Sequence, residues 1–177
     1  PVDEAARAVN AGIDLRREYS VQRGDEWVLL ESPMSVRRGE LVRVDLYVSL
    51  PTARNFVVVD DPVPGGLEPV NRDLANVSGV DADEGRYQPA GGAWWFRFND
   101  WREYGVSRWS FYHQETRHDA VRFYSEYLPP GNSHLSYTAQ AIATGEFASL
   151  PTHAEEMYDP DIYGRSLPAT LVVEEVP

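Results

Sequence analysis

The amino-acid sequence predicts an all-β chain, an antiparallel β-sandwich with at most one short helix. Three observations carry that reading. Apolar residues recur with a period of two along most of the chain, the signature of strands with one buried face. Clusters of Gly, Pro, Asn and Asp separate those stretches at short intervals. Sustained helical periodicity is almost absent.

Taken in order, residues 1–10 read as a linker in which Asp3 to Val9 can form a helical turn, and 11–177 as one sandwich domain. Ile13, Leu15 and Tyr19 alternate with Asp14, Arg16 and Glu18 in a first strand. Arg23-Gly24-Asp25 and Arg38-Gly39-Glu40 are turns. From Leu41 to Leu50, Val42, Val44, Leu46, Val48 and Leu50 share one face, while Arg43, Asp45, Tyr47 and Ser49 share the other. Phe56-Val57-Val58-Val59 is a continuous apolar run, read as a central strand covered on both faces. Proline in Pro62-Val63-Pro64-Gly65-Gly66 then ends that run. Glu68 to Ala75 is the best helix candidate, and Asn71 to Gly92 reads as a long surface excursion.

Further strands follow around Trp94 to Phe98 and Trp109 to Tyr112. Val121, Phe123 and Tyr127 share one strand face, and Leu135, Tyr137, Ala139, Ala141 and Ala143 another. Pro129-Pro130-Gly131-Asn132 between these two reads as a tight hairpin. Leu171 to Val173 form the last strand. The alanine row leaves room for a bulky Trp or Phe opposite. Tyr137, two residues before Ala139, occupies the place of the tyrosine whose hydroxyl bonds backbone at the corner of immunoglobulin-like sandwiches, and equally suits an ordinary core position.

Composition narrows the function. Lys and Arg number 16 against 28 Asp and Glu, a net charge of −12 over 177 residues, and there is no cysteine. A chain of this length buries roughly 70% of its unfolded surface and needs no covalent staple. Lacking thiols, it can hold neither a disulfide framework, a zinc–thiolate site nor a cysteine nucleophile. Its acidity argues against nucleic acid and anionic membranes as partners, and no apolar run is long enough for a membrane helix. The acidic start at Pro1-Val2-Asp3-Glu4 carries no targeting signal and reads as a processed chain or a piece cut from a longer one.

No catalytic motif stands out. Gly-x-Ser-x-Gly and Gly-rich phosphate loops are absent, so no residue is assigned a catalytic role. His113, His118, His134 and His153 form no metal-binding spacing. His153 beside Glu155 and Glu156 is better read as a solvated loop than as a metal site. Asp81-Ala82-Asp83-Glu84-Gly85 lacks the ligand spacing of a calcium loop and reads as an exposed turn. Asp60-Asp61 before proline reads as strand-end capping ahead of an acid–base dyad. No cofactor and no metal are implied. Trp94, Trp95, Trp101 and Trp109 cluster in sequence; Trp95 and Trp101 are the outward candidates for an aromatic surface that could stack on sugar rings, with core packing the commoner use.

The last third carries a longer pattern: Leu128-Pro129-Pro130-Gly131, Leu135-Ser136-Tyr137, Ala141 with Gly145 and Phe147, then Pro151, Ala154-Glu155, Met157-Tyr158, Pro160 and Tyr163-Gly164-Arg165-Ser166. Upstream, Phe56 to Pro62 continues through Pro64, Gly66 and Leu67-Glu68-Pro69. Both blocks, in this order, resemble the C-terminal macroglobulin-like domain of bacterial alpha-2-macroglobulins, the counterpart in position of the receptor-binding domain of the animal proteins. The resemblance spans roughly residues 11 to 175 and implies a macroglobulin-like sandwich.

It also implies a setting. Such proteins are periplasmic protease traps, often anchored to the inner membrane by a lipid at the far N-terminus. A protease cleaves a bait region, the chain rearranges, and in many members an internal Cys–Gln thioester captures the protease. This chain, having no cysteine, would be a non-catalytic terminal domain whose partners are the thioester domain of the same chain and, indirectly, target proteases. Met157 and Tyr158, followed by Tyr163 and Arg165, are the expected docking and thioester-shielding surface; the alternative for this segment is that it simply crosses between sheets, with Met157 buried in the domain's own core. A glycan-binding module, or a docking surface for a periplasmic cell-wall enzyme such as a penicillin-binding protein, is the alternative.

Overall fold

The computed structural model describes residues 7–70, 87–89, 111 and 113–176, with the backbone alone for 87–89. In chain order the strands are β1 Val9–Ala11, β2 Asp14–Arg23, β3 Glu26–Leu30, β4 Met34–Arg37, β5 Leu41–Leu50, β6 Arg54–Pro62, β7 Leu67–Pro69, β8 Tyr87–Pro89, β9 His113–Thr116, β10 Ala120–Leu128, β11 Gly131–Ala141, β12 Gly145–Ser149, β13 His153–Glu156, β14 Asp159–Arg165 and β15 Ala169–Glu174. No helix occurs among the described residues.

One sheet runs β1-β14-β13-β6-β10-β9, and a second runs β3-β2-β5-β11-β7 with β8 also against β11. A small third sheet, β12-β15-β4, includes the one parallel strand pairing among those described, β15 with β4. The expected all-β, essentially antiparallel sandwich is what forms. β5 shows why: its even-numbered Val42 to Leu50 are all buried, while its edges pair with β2 and β11. Each such side chain contributes about 1.5–3 kcal/mol on leaving water. Facing it from the first sheet are Val57, Val59, Val121, Phe123 and Ala154; Met34, Val36, Leu171 and Val173 extend the same core into the third.

Several expectations change. Pro129-Pro130 does not close a hairpin: β10 pairs with β6 and β9, β11 with β5, β7 and β8, so the turn carries the chain between sheets. The two prolines offer no N–H for a hairpin ladder, which fits a crossover. Glu68, the start of the helix candidate, lies in β7 opposite Gln140, where pairing with a long strand prevails over weak helical propensity. Val9 and Asn10, read as linker, pair with Arg165 and Gly164. β6 is central but not covered on both faces: Val57 and Val59 are fully buried, Val58 is half-buried and Phe56 is exposed. Trp94, Trp95, Trp101 and Trp109, the Asp81–Gly85 stretch, and most of the 71–92 excursion lie outside the described residues.

Tyr137 makes no backbone corner. Its hydroxyl donates to Asp61 Oδ2 at 2.6 Å inside the sandwich. Asp61 is fully buried, and so not a loop cap; its other oxygen accepts from Arg17 Nη1 at 2.7 Å and Thr152 Oγ1 at 2.6 Å. Arg17 also donates to Ser149 Oγ at 2.8 Å, and Ser149 shares a 2.8 Å hydrogen bond with the Tyr19 hydroxyl. Charge and hydrogen bonds are thus satisfied within a network that joins β2, β6, β11, β12 and the start of β13.

Burial pushes the Tyr19 phenol up to about 12 and raises that of Tyr137 well above its ordinary value, in the latter case helped by the Asp61 charge. A raised folded-state value means stability is complete below the unfolded value of about 10 and is lost as pH climbs toward the folded one. Denaturant midpoints will therefore fall between pH 10 and 12, and both Tyr19→Phe and Tyr137→Phe will flatten that fall. A profile as steep in the variants as in the wild type would refute the assignment.

Candidate interdomain docking surface

The β13–β14 hairpin lies within the first sheet, with Glu156 opposite Asp159 and a two-residue turn made of Met157 and Tyr158. Met157 is 49% and Tyr158 78% exposed. The sequence alone left open whether these residues close the domain's own core; they do not.

A third apolar side chain completes the tip. Phe56, 45% exposed, has the positive φ of 52°, a backbone conformation rare for an aromatic residue. Its carbonyl accepts the Met157 N–H at 2.9 Å. Its ring meets that of Tyr158 edge to face, with centroids 5.1 Å apart and planes at 86°. Tyr127 on β10, opposite Asn55, is exposed as well. Sequence reasoning missed both. Phe56 sat in an apolar run, and Tyr127 shared parity with buried Val121 and Phe123. Around Phe56 the alternation slips, so that Leu128 turns inward and Tyr127 outward although the register is unchanged.

Polar groups surround this tip. Arg54 Nη1 stands 3.7 Å from Glu156 Oε2, and the Asn55 N–H donates to Glu156 Oε1 at 3.2 Å. Asp159 and Asp161 are exposed on β14. An apolar centre within a polar rim is the usual anatomy of a protein–protein contact.

Tyr163 and Arg165 lie on the same hairpin, farther from the tip. In register, Tyr163 faces Glu155 and Arg165 faces His153, while Ala154 and Gly164 turn inward. The outer sheet face they share is polar. Arg122 Nε reaches Asp60 Oδ1 at 3.1 Å and Arg122 Nη1 reaches Glu115 Oε2 at 3.7 Å. His153 Nε2 meets Glu155 Oε2 at 3.0 Å, and its ring tilts on that of Tyr163 at 5.8 Å. A hydrogen bond from Arg117 is the chief cause holding the Glu115 carboxyl below its ordinary range. Apolar contact is therefore concentrated at the turn. Among the described residues, no three His, Cys, Asp or Glu side chains are grouped to hold a metal.

Residues 12–161 match the family model of the bacterial alpha-2-macroglobulin MG10 domain. A curated alpha-2-macroglobulin homolog from Nostoc sp. (strain PCC 7120) is 22% identical over 146 residues, 82% of this chain but 7% of that protein. The fold is also that of part of Salmonella alpha-2-macroglobulin reacted with methylamine (TM-score 0.67, 21% identity, 97% of this chain and 10% of that one). It matches native Escherichia coli alpha-2-macroglobulin spanning domain MG7 to the C-terminus (TM-score 0.68, 24% identity, 96% of this chain and 24% of that one). The Escherichia coli protein activated by porcine elastase gives a TM-score of 0.71 at 22% identity, covering 97% of this chain and 14% of that one. The chain thus spans a small fraction of each relative's length. With 150 of its residues, 12 through 161, inside one family model and the same fold in these solved relatives, the chain belongs to the bacterial alpha-2-macroglobulin MG10 domain family.

Proposed function

We propose that this chain is the non-catalytic terminal domain of a periplasmic alpha-2-macroglobulin, where its Met157–Tyr158 turn docks on the thioester-bearing domain and shields the thioester until bait cleavage separates them. The observation that carries the reading is the exposure of Met157 and Tyr158 at a hairpin tip, next to an exposed Phe56. An apolar tip of this kind gains by being covered, and the much greater length of the relatives supplies domains that could cover it.

The chemistry asks for such a cover. A thioester is an electrophilic acyl carbon, and its lifetime depends on keeping water from that carbon. A thioether adapts to an irregular surface, and a tyrosine adds a large ring with a polar end. This chain has no cysteine, so it can cover such a bond but cannot form one. The Salmonella relative reacted with methylamine supports the assay. A primary amine adds to the acyl carbon, the carbon–sulfur bond breaks, an amide forms and the thiol leaves with a proton from the amine.

In the intact longer protein, Tyr158→Ala will speed methylamine uptake by about tenfold or more, the effect of losing a central aromatic contact. Met157→Ala will do so to a smaller extent. Wild-type uptake rates in both variants would refute the shielding role.

A further inference from the structure

Resting on that docking reading, we infer that Phe56 is a positioning residue that holds Tyr158 in its docking orientation. Three features converge. Its ring packs edge to face on Tyr158, at 5.1 Å and 86°. Its carbonyl holds the Met157 N–H at 2.9 Å, so one residue fixes both members of the turn from the neighbouring strand. Its backbone sits at φ 52°, where bulky L side chains are strained.

That strain is informative. Val57 and Val59 are fully buried, and the same alternation puts Phe56 on the outer face, 45% exposed, where burial does not offset its cost. Glycine would adopt the same backbone freely. A phenylalanine here is disfavoured by its backbone, and its ring packs on Tyr158. Tyr158, the most exposed of the three, otherwise has a wide choice of rotamers. An edge-to-face partner narrows that choice before docking, which lowers the entropic cost of association.

The test separates positioning from structural support. Methylamine uptake is measured in the intact longer protein for wild type, Tyr158→Ala, Phe56→Gly, Phe56→Tyr and the Phe56→Gly/Tyr158→Ala double variant, and thermal melting of this chain for wild type and Phe56→Gly. Phe56→Gly will speed uptake by roughly three- to tenfold, the worth of an aromatic pair. The double variant will be no faster than Tyr158→Ala alone, and Phe56→Tyr, which keeps the ring, will stay near wild type. Phe56→Gly will melt at or above the wild-type temperature. If Tyr158→Ala speeds uptake and Phe56→Gly does not, or if the two effects multiply while Phe56→Gly melts lower, Phe56 is not a positioning residue. If Tyr158→Ala leaves uptake unchanged, or if neither the wild type nor Tyr158→Ala takes up methylamine, the docking reading itself falls and this inference with it.

Discussion

Asp61→Ala will lower the unfolding free energy by about 3–5 kcal/mol, read from urea midpoints near neutral pH. Arg17 and Asp61 are both almost wholly out of water, with side-chain exposures of 2% and 0%, and their contact is 2.7 Å. Removing the carboxylate leaves the guanidinium buried without its counter-charge, which costs far more than the pair itself contributes. It also strands the Tyr137 and Thr152 hydroxyls, both of which donate to that carboxylate at 2.6 Å. Tyr137→Phe and Thr152→Val each remove one hydrogen bond to a charged acceptor and will cost less, about 1.5–3 kcal/mol. The order matters as much as the size. Losses for Asp61→Ala no larger than for Tyr137→Phe would show that water enters the site and that the sandwich does not depend on the pair. Against a domain stability of about 5–15 kcal/mol, the loss predicted for Asp61→Ala is enough to depopulate the fold in warm solution.

Much of this network was half legible in the sequence. Arg17 falls between Leu15 and Tyr19 in the parity that marks the inward face of β2, and Asp61 continues the inward parity of Val57 and Val59. Alternation therefore pointed Arg17 into the core, while the continuous apolar run at 56–59 hid the inward parity of Asp61. It could not say that they meet, because β2 and β6 belong to different sheets and their facing is set by how the sheets stack. The same limit explains the Pro129-Pro130 turn: two long strands with a short connection look like a hairpin until each is seen to have a better partner elsewhere. At the tip, the residue types of Met157 and Tyr158 and their place in a turn were readable, but their exposure was not. Phe56 was hidden for a different reason. It stood in a continuous apolar run read as covered on both faces, and its positive φ is a backbone state that no alternation rule encodes. Family resemblance supplied Met157 and Tyr158; only the geometry adds Phe56 beside them.

Gly164→Ala will detach β1 from the first sheet and lower stability by about 1–3 kcal/mol, the usual cost of forcing extra volume into packed structure. A Cβ at Gly164 would collide with the carbonyl oxygen of Ile13, and a backbone atom of a fully buried residue cannot swing aside as a side-chain end can. Either the segment through Gly12 and Ile13 moves, or β14 does. Movement of the segment breaks the Val9–Arg165, Asn10–Gly164 and Ala11–Tyr163 pairings; movement of β14 displaces Tyr163 and the hairpin that ends in Met157 and Tyr158. Amide exchange distinguishes the two. Loss of protection confined to Val9–Ala11 marks the first, and loss spreading to residues 153–165 the second. Gly24→Ala is the control, because a Cβ there meets nothing within 4 Å and only its φ of 64° is unfavourable. It will cost about 1 kcal/mol and leave β1 protected. A Gly164→Ala variant as stable as the wild type, with β1 still protected, would show that the close approach to Ile13 relaxes freely. That glycine would then have no steric part in tying the start of the domain to the hairpin that carries the docking tip.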